Sequence, residues 1–201
     1  MRIRRPWTAV TTTLLVALVA GPALATGTVQ GTVQDTSGEP VADAVVFLAD
    51  VPGTFDLPKK PVVMDQRDFL FVPRVLPVVV GTTVDFLNSD AVRHNVFSPD
   101  GSGYNLGTWP TGETRSHTFA ECEEFPCVYT QLCNVHPEME GFVVVLPNPF
   151  FARTDASGRF TIAGIPPGTY TLNLWHPDEL VAEERITVKD GGVTTITLTA
   201  E

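Results

Sequence analysis

The chain is predicted to be all-β: a Greek-key β-sandwich inserted into, or followed by, a second and smaller β-sandwich. Three observations predict this. Short runs rich in β-branched and aromatic residues recur along the sequence, separated by clusters of Gly, Pro, Asp and Ser. Some runs alternate as half-buried strands do, with Tyr170, Leu172 and Leu174 set against Thr171, Asn173 and Trp175. No helix of useful length is indicated beyond residue 25.

In chain order, residues 1–25 read as a secretory signal peptide. Arg2, Arg4 and Arg5 form a basic start, residues 11–20 an apolar centre, and Ala23-Leu24-Ala25 a small-x-small cleavage site. The apolar run is too short to span a bilayer. Arg4-Arg5 raises twin-arginine export, although the residues that follow do not strengthen it. Periplasmic or secreted localisation is therefore expected, with no membrane span in the mature chain.

Residues 26–55 hold two expected strands, 31–34 and 44–48, flanking the turn Asp35-Thr36-Ser37-Gly38. A Pro- and Gly-containing connector follows. Residues 60–148 hold candidate strands at 62–64, 76–80, 83–87, 94–98, 114–119, 128–132 and 142–146. Such short strands with turn residues between them suit a Greek-key sandwich. Residues 149–201 repeat the Asp-x-x-Gly turn at Asp155 to Gly158 and add strands through Phe160, Leu172, Ile186 and Leu198.

The residues with the most chemical content are Cys133-Asn134-Val135-His136-Pro137-Glu138-Met139. Thiolate and thioether are soft ligands that favour copper, and imidazole suits it as well. A helix would turn Met139 roughly 120° away from Cys133, and Pro137 would break it. A loop between the strands at 128–132 and 142–146 can instead direct all three side chains to one point. A site of two histidines, one cysteine and an axial methionine needs one more imidazole, which His94 supplies.

The stretch from Asn88 to His94-Asn95-Val96, with the Cys-x2-His-x2-Met loop, resembles the blue-copper proteins of the cupredoxin family, plastocyanins and amicyanins in particular. The short loop is similar to that of amicyanin. Arg93 departs from the proline usual before that histidine. The resemblance implies one type 1 copper ion held by His94, Cys133, His136 and Met139, with Asn95 behind them tying the ligand segments together. It also implies electron exit through His136 and an amicyanin-like setting, with a dehydrogenase or cytochrome as redox partner.

The outer pieces resemble the two parts of a carboxypeptidase-regulatory-like domain, a transthyretin-like β-sandwich. At the front the match is Gly-x-Val, Asp-x-x-Gly and Pro-Val-x-x-Ala-x-Val. At the back it is Asp-x-x-Gly-Arg-Phe and Ile-Pro-Pro-Gly-Thr-Tyr. Neither piece has enough strands to bury a core alone, so insertion of the middle domain into a surface loop is favoured over three units in a row.

Three cysteines are present. On one strand Cys127 and Cys133 would stand roughly 20 Å apart, beyond disulfide reach. Cys122 and Cys127 flank the turn-compatible Glu123-Glu124-Phe125-Pro126, so they are paired and Cys133 is left for the metal. His117 lies on an alternating polar strand and is expected to be exposed, and His176 is expected at a strand end or interface. The full chain carries 13 Lys+Arg and 23 Asp+Glu. Without Arg2, Arg4 and Arg5 it has 10 against 23, or −13. That acidity argues against nucleic acid and anionic membranes.

Four histidines exclude a multicopper oxidase by count. No catalytic residues are assigned: a Cys–His nucleophile pair would leave His94 and Met139 without a role. Zinc is the second choice of metal, but structural zinc sites do not use methionine. The expected function is one-electron transfer. Copper storage, delivery or sensing is the first alternative, and an adhesion or carbohydrate-binding module the second.

Overall fold

The computed structural model describes residues 25–201, and every regular element among them is a strand. All but the last residue of the expected signal peptide lies outside the described residues. Strands β1 (Gly27–Asp35) and β2 (Val45–Leu48) open the chain. Next come β3 (Val62–Arg67), β4 (Leu70–Val72), β5 (Val75–Val79), β6 (Thr83–Asn88), β7 (His94–Ser98), β8 (Tyr104–Trp109), β9 (Thr114–Thr118), β10 (Cys127–Leu132) and β11 (Glu140–Leu146). Strands β12 (Phe151–Arg153), β13 (Arg159–Ile165), β14 (Gly168–Trp175), β15 (Val181–Val188) and β16 (Val193–Ala200) close it.

The first two strands pair with the last five. One sheet runs β13-β1-β16, with β1 antiparallel to β13 and parallel to β16. The other runs β12-β2-β14-β15, antiparallel throughout. Between them Val29, Val33, Val46, Leu48, Ile162, Leu172, Leu174, Ile186 and Leu198 form one core. Removing each such side chain from water contributes about 1.5–3 kcal/mol. The two Asp-x-x-Gly turns are built alike. The carboxylates of Asp35 and Asp155 accept the amides of Ser37 and Ser157, and Gly38 and Gly158 take positive φ.

The middle strands form two further sheets, β4-β3-β6-β9 and β5-β11-β10-β7-β8. Met64, Phe86, Val96, Trp109, Phe119, Val143 and Val145 fill the space between them. A third cluster joins the two sandwiches: Val45 and Phe47 of β2 meet Val75, Phe142, Val144 and Leu146. The Phe142 and Trp175 rings are 5.7 Å apart across this seam. Strand β2 is therefore apolar at every position because both its faces are buried.

Three strands depart from the sequence reading. Strands β4 and β12 have three residues each, too short to show alternation. Strand β8 is largely exposed, contains Gly107 at positive φ and pairs irregularly with β7.

Strand β1 passes so close to β16 that a Cβ on Gly31 would stand 1.9 Å from the Ile196 carbonyl oxygen. Backbone, not a flexible side chain, would have to move. Gly31→Ala is expected to destabilise the protein by roughly 1–3 kcal/mol, a loss of the size that overpacking produces. Thermal or urea unfolding checks this, and an unchanged midpoint would contradict it.

Candidate metal centre

His94 begins β7, and the loop from Cys133 to Met139 joins β10 to β11. Strands β7 and β10 are neighbours, with Leu132 opposite Phe97. The end of β10 therefore delivers Cys133 beside His94, 39 residues earlier in the chain. The loop closes as a turn in which the Met139 amide donates to the His136 carbonyl at 3.0 Å.

Three ligand-type atoms converge. His94 Nδ1 and His136 Nδ1 are 2.9 Å apart, and Cys133 Sγ is 3.8 Å from the first and 3.9 Å from the second. The point equidistant from all three lies about 2.1 Å from each, within the range of metal–nitrogen bonds and slightly short of metal–sulfur bonds. His94 and Met139 are 0% exposed and Cys133 is 2% exposed, whereas His136 is half-buried. Met139 belongs to the same apolar cluster as Cys133.

The protonation pattern follows from the partners. His94 Nε2 lies 2.8 Å from Asp90 Oδ2, so Nε2 carries the proton and donates it to the carboxylate. That leaves the His94 Nδ1 lone pair aimed at the other two ligand atoms. The Asn95 amide donates to Cys133 Sγ at 3.4 Å and holds the sulfur beside the two rings. The buried donor set therefore fits a cation at its centre. A soft thiolate, two imidazoles and a thioether together fit copper better than zinc or a hard ion.

Two side chains hold this arrangement. Asn95 Oδ1 accepts the Asn134 amide at 3.3 Å, while its Nδ2 donates to Asn105 Oδ1 and the Gly107 carbonyl. It thus links the His94 segment to the Cys133 loop. Asp90, absent from the sequence reading, accepts the amides of Asp68 and Phe69 at 2.7 and 3.0 Å as well as the His94 proton. Burial pushes the Asp90 carboxyl pKa upward. The two amides and His94 outweigh it and hold the group below the usual carboxylate value. Its signal in the sequence was an acid four positions before the histidine, a spacing with no meaning until the loop's shape is known. Asn88 shapes that loop, donating to the Val92 and Trp109 carbonyls and accepting the Asp90 amide.

Cys122 and Cys127 form a disulfide with Cα atoms 5.7 Å apart, and Cys133 is free and buried. Arg93 is exposed and donates to the Thr108 carbonyl, while His94 beside it is fully buried. His117 is not exposed as expected. It is half-buried, its ring stacked 3.8 Å from that of Tyr104, and this burial lowers its pKa. His176 is buried at the end of β14, where Nε2 donates to the Ala42 carbonyl at 3.1 Å.

Several known proteins are similar. A reduced amicyanin variant is 29% identical, covering 45% of this chain and 86% of its own, with a TM-score of 0.39. A purple cupredoxin from Nitrosopumilus maritimus is 30% identical, covering 42% of this chain and 98% of its own, with a TM-score of 0.37. A Cu-containing nitrite reductase from Thermus scotoductus SA-01 is 28% identical over 48% of this chain, with a TM-score of 0.40. The match spans 25% of that reductase. No curated protein matches the chain. The family described as polysaccharide lyase family 4, domain II matches residues 148–196, a different description from the carboxypeptidase-regulatory-like family expected there from the sequence.

Asp90→Ala removes the acceptor that fixes the His94 tautomer. It is expected to weaken copper(II) binding by about 10–100-fold, as removal of such outer partners does. Asp90→Asn, which keeps one acceptor oxygen, should lose less. Competition against a chelator of known affinity measures both, and an unchanged affinity in Asp90→Ala would show that the ring needs no such support.

Proposed function

We propose that residues 60–148 form a cupredoxin-like type 1 copper domain and that the protein is a one-electron carrier of the periplasm or cell exterior. The observation that carries this reading is the convergence of His94 Nδ1, His136 Nδ1 and Cys133 Sγ on one buried point, with Met139 packed in the same cluster. Copper bound there would supply a couple between copper(II) and copper(I). His94 and His136 present imidazole nitrogens, Cys133 a thiolate, and Met139 a thioether whose character tunes the potential. The ligands rise from strand ends and a closed hairpin loop, which resists rearrangement between oxidation states. The disulfide and the leader-like first 25 residues support an exported location.

The same reading makes residues 26–55 and 149–201 one sandwich into which the copper domain is inserted. It is supported by the pairing of β1 with β13 and β16 and of β2 with β12 and β14.

Copper(II) added to the protein should give an intense visible thiolate charge-transfer band and a narrow-hyperfine electron paramagnetic resonance signal. Cys133→Ser should abolish the colour. A colourless adduct of the unmutated protein would sink the type 1 assignment.

Electrons would leave through His136, the half-buried ligand, whose neighbour Val135 is exposed. An acid at the centre of such an apolar contact disturbs docking more than a charge on its rim. Val135→Asp is expected to slow oxidation by a basic cytochrome in stopped flow while leaving the visible spectrum intact. Thr195→Glu, on β16, should exchange at the unmutated rate. Exchange at the unmutated rate by both variants would overturn the exit route and favour copper storage or sensing.

A further inference from the structure

The turn between β3 and β4 carries a large apolar ring where glycine would be the easy choice. Asp68 and Phe69 have φ of 56° and 60°. A two-residue hairpin turn with both residues left-handed is ordinarily filled by Asn-Gly or Asp-Gly. A side chain as bulky as Phe is strained in that conformation, and strain of this kind persists only where the surroundings impose it. Asp90 imposes it, because its carboxylate accepts the amides of both turn residues and the Nε2 proton of His94. One side chain thus ties the hairpin tip to a metal-ligand ring.

The tip places Phe69 over both imidazoles. Its ring centroid lies 5.8 Å from that of His94 and 4.9 Å from that of His136, with interplanar angles of 83° and 85°. These are edge-to-face contacts of the favourable kind. His94, Cys133 and Met139 are closed off by packing, so the remaining approach to the centre lies on the half-buried His136 side. Phe69 stands on that side and is itself 43% exposed.

We propose that Phe69, held down by Asp90, is the cap that closes the centre to small solutes, so that the site can exchange electrons across its wall but does not admit anions or thiol reagents. The copper-dependent part of this proposal rests on the assignment of the centre above; the access of solutes to Cys133 does not.

Cys122 and Cys127 are joined, so Cys133 is the one free thiol and its alkylation reads access without any metal. Iodoacetamide is applied to the native, metal-free full chain at fixed pH. Phe69→Gly removes the ring and suits the left-handed turn, and should raise the alkylation rate at least about tenfold, since a buried thiol otherwise waits for local opening. Phe69→Tyr should restore the slow rate. Leu70→Ala, which trims an exposed neighbour on the same hairpin, should leave it slow. Equal rates for the unmutated protein and Phe69→Gly overturn the cap, as does equal acceleration by Leu70→Ala. In copper-loaded protein, azide should alter the visible and paramagnetic resonance spectra of Phe69→Gly and leave those of the unmutated protein unchanged. An azide response in both, or in neither, also overturns it. Absence of a thiolate band in the unmutated protein would refute the copper assignment, and the alkylation rates would still decide the cap.

Discussion

Strand β11 is buried on both faces, and the position of the candidate metal centre follows from that constraint. Val143 and Val145 point into the core beneath the ligands, while Phe142, Val144 and Leu146 lie against the outer sandwich. The strand pairs with β10 on one side and β5 on the other. A one-residue slip would exchange its two faces and misplace both sets of contacts. Its register is therefore strongly specified, and so is the loop that enters it with Cys133, His136 and Met139.

Packing brings the ligands near one another, but hydrogen bonds decide which atoms meet. Without Asp90 the His94 ring could carry its proton on either nitrogen. With the carboxylate 2.8 Å from Nε2, Nδ1 is left to face His136 Nδ1 and Cys133 Sγ. Asn95 acts on the other side, with its backbone amide on the sulfur and its side chain on the Asn134 amide. Two imidazole nitrogens 2.9 Å apart beside a buried sulfur leave polar atoms that are costly to bury without a partner. A cation held there would relieve that cost, which is why the cluster is a candidate metal centre.

The seam between the sandwiches gives the outer strands a mechanical part. Val45 and Phe47 of β2 and Trp175 of β14 cover the face of β11 that would otherwise meet water. An open five-stranded sheet with an apolar outer face would be an association hazard. The covering sandwich removes it; of the large apolar side chains still exposed among the described residues, Phe69, Leu70, Val92 and Val135 lie on the segments that surround the candidate ligands, and Leu57, Val63, Val181 and Val193 lie elsewhere.

By itself the sequence determined the all-β class, because alternation and turn residues report strand formation locally. Val29 and Val33, or Leu172 and Leu174, face one core whatever their partners are. It also singled out Cys133, His136 and Met139, since three soft or borderline ligands within seven residues are legible as spacing. Strands β4, β8 and β12 were not legible: β4 and β12 are too short to alternate, and β8 is too exposed and irregular. Nor was the half-burial of His117 against Tyr104, which depends on β8 and β9, edge strands of different sheets, approaching each other. Only the tertiary structure decided that Asp90 serves His94 and that Phe69, a residue from a distant hairpin, lies over both imidazoles. The physical reason is range: periodicity and ligand spacing act over a few residues, whereas proton placement and ring contacts depend on atoms that only the folded sheets bring within reach.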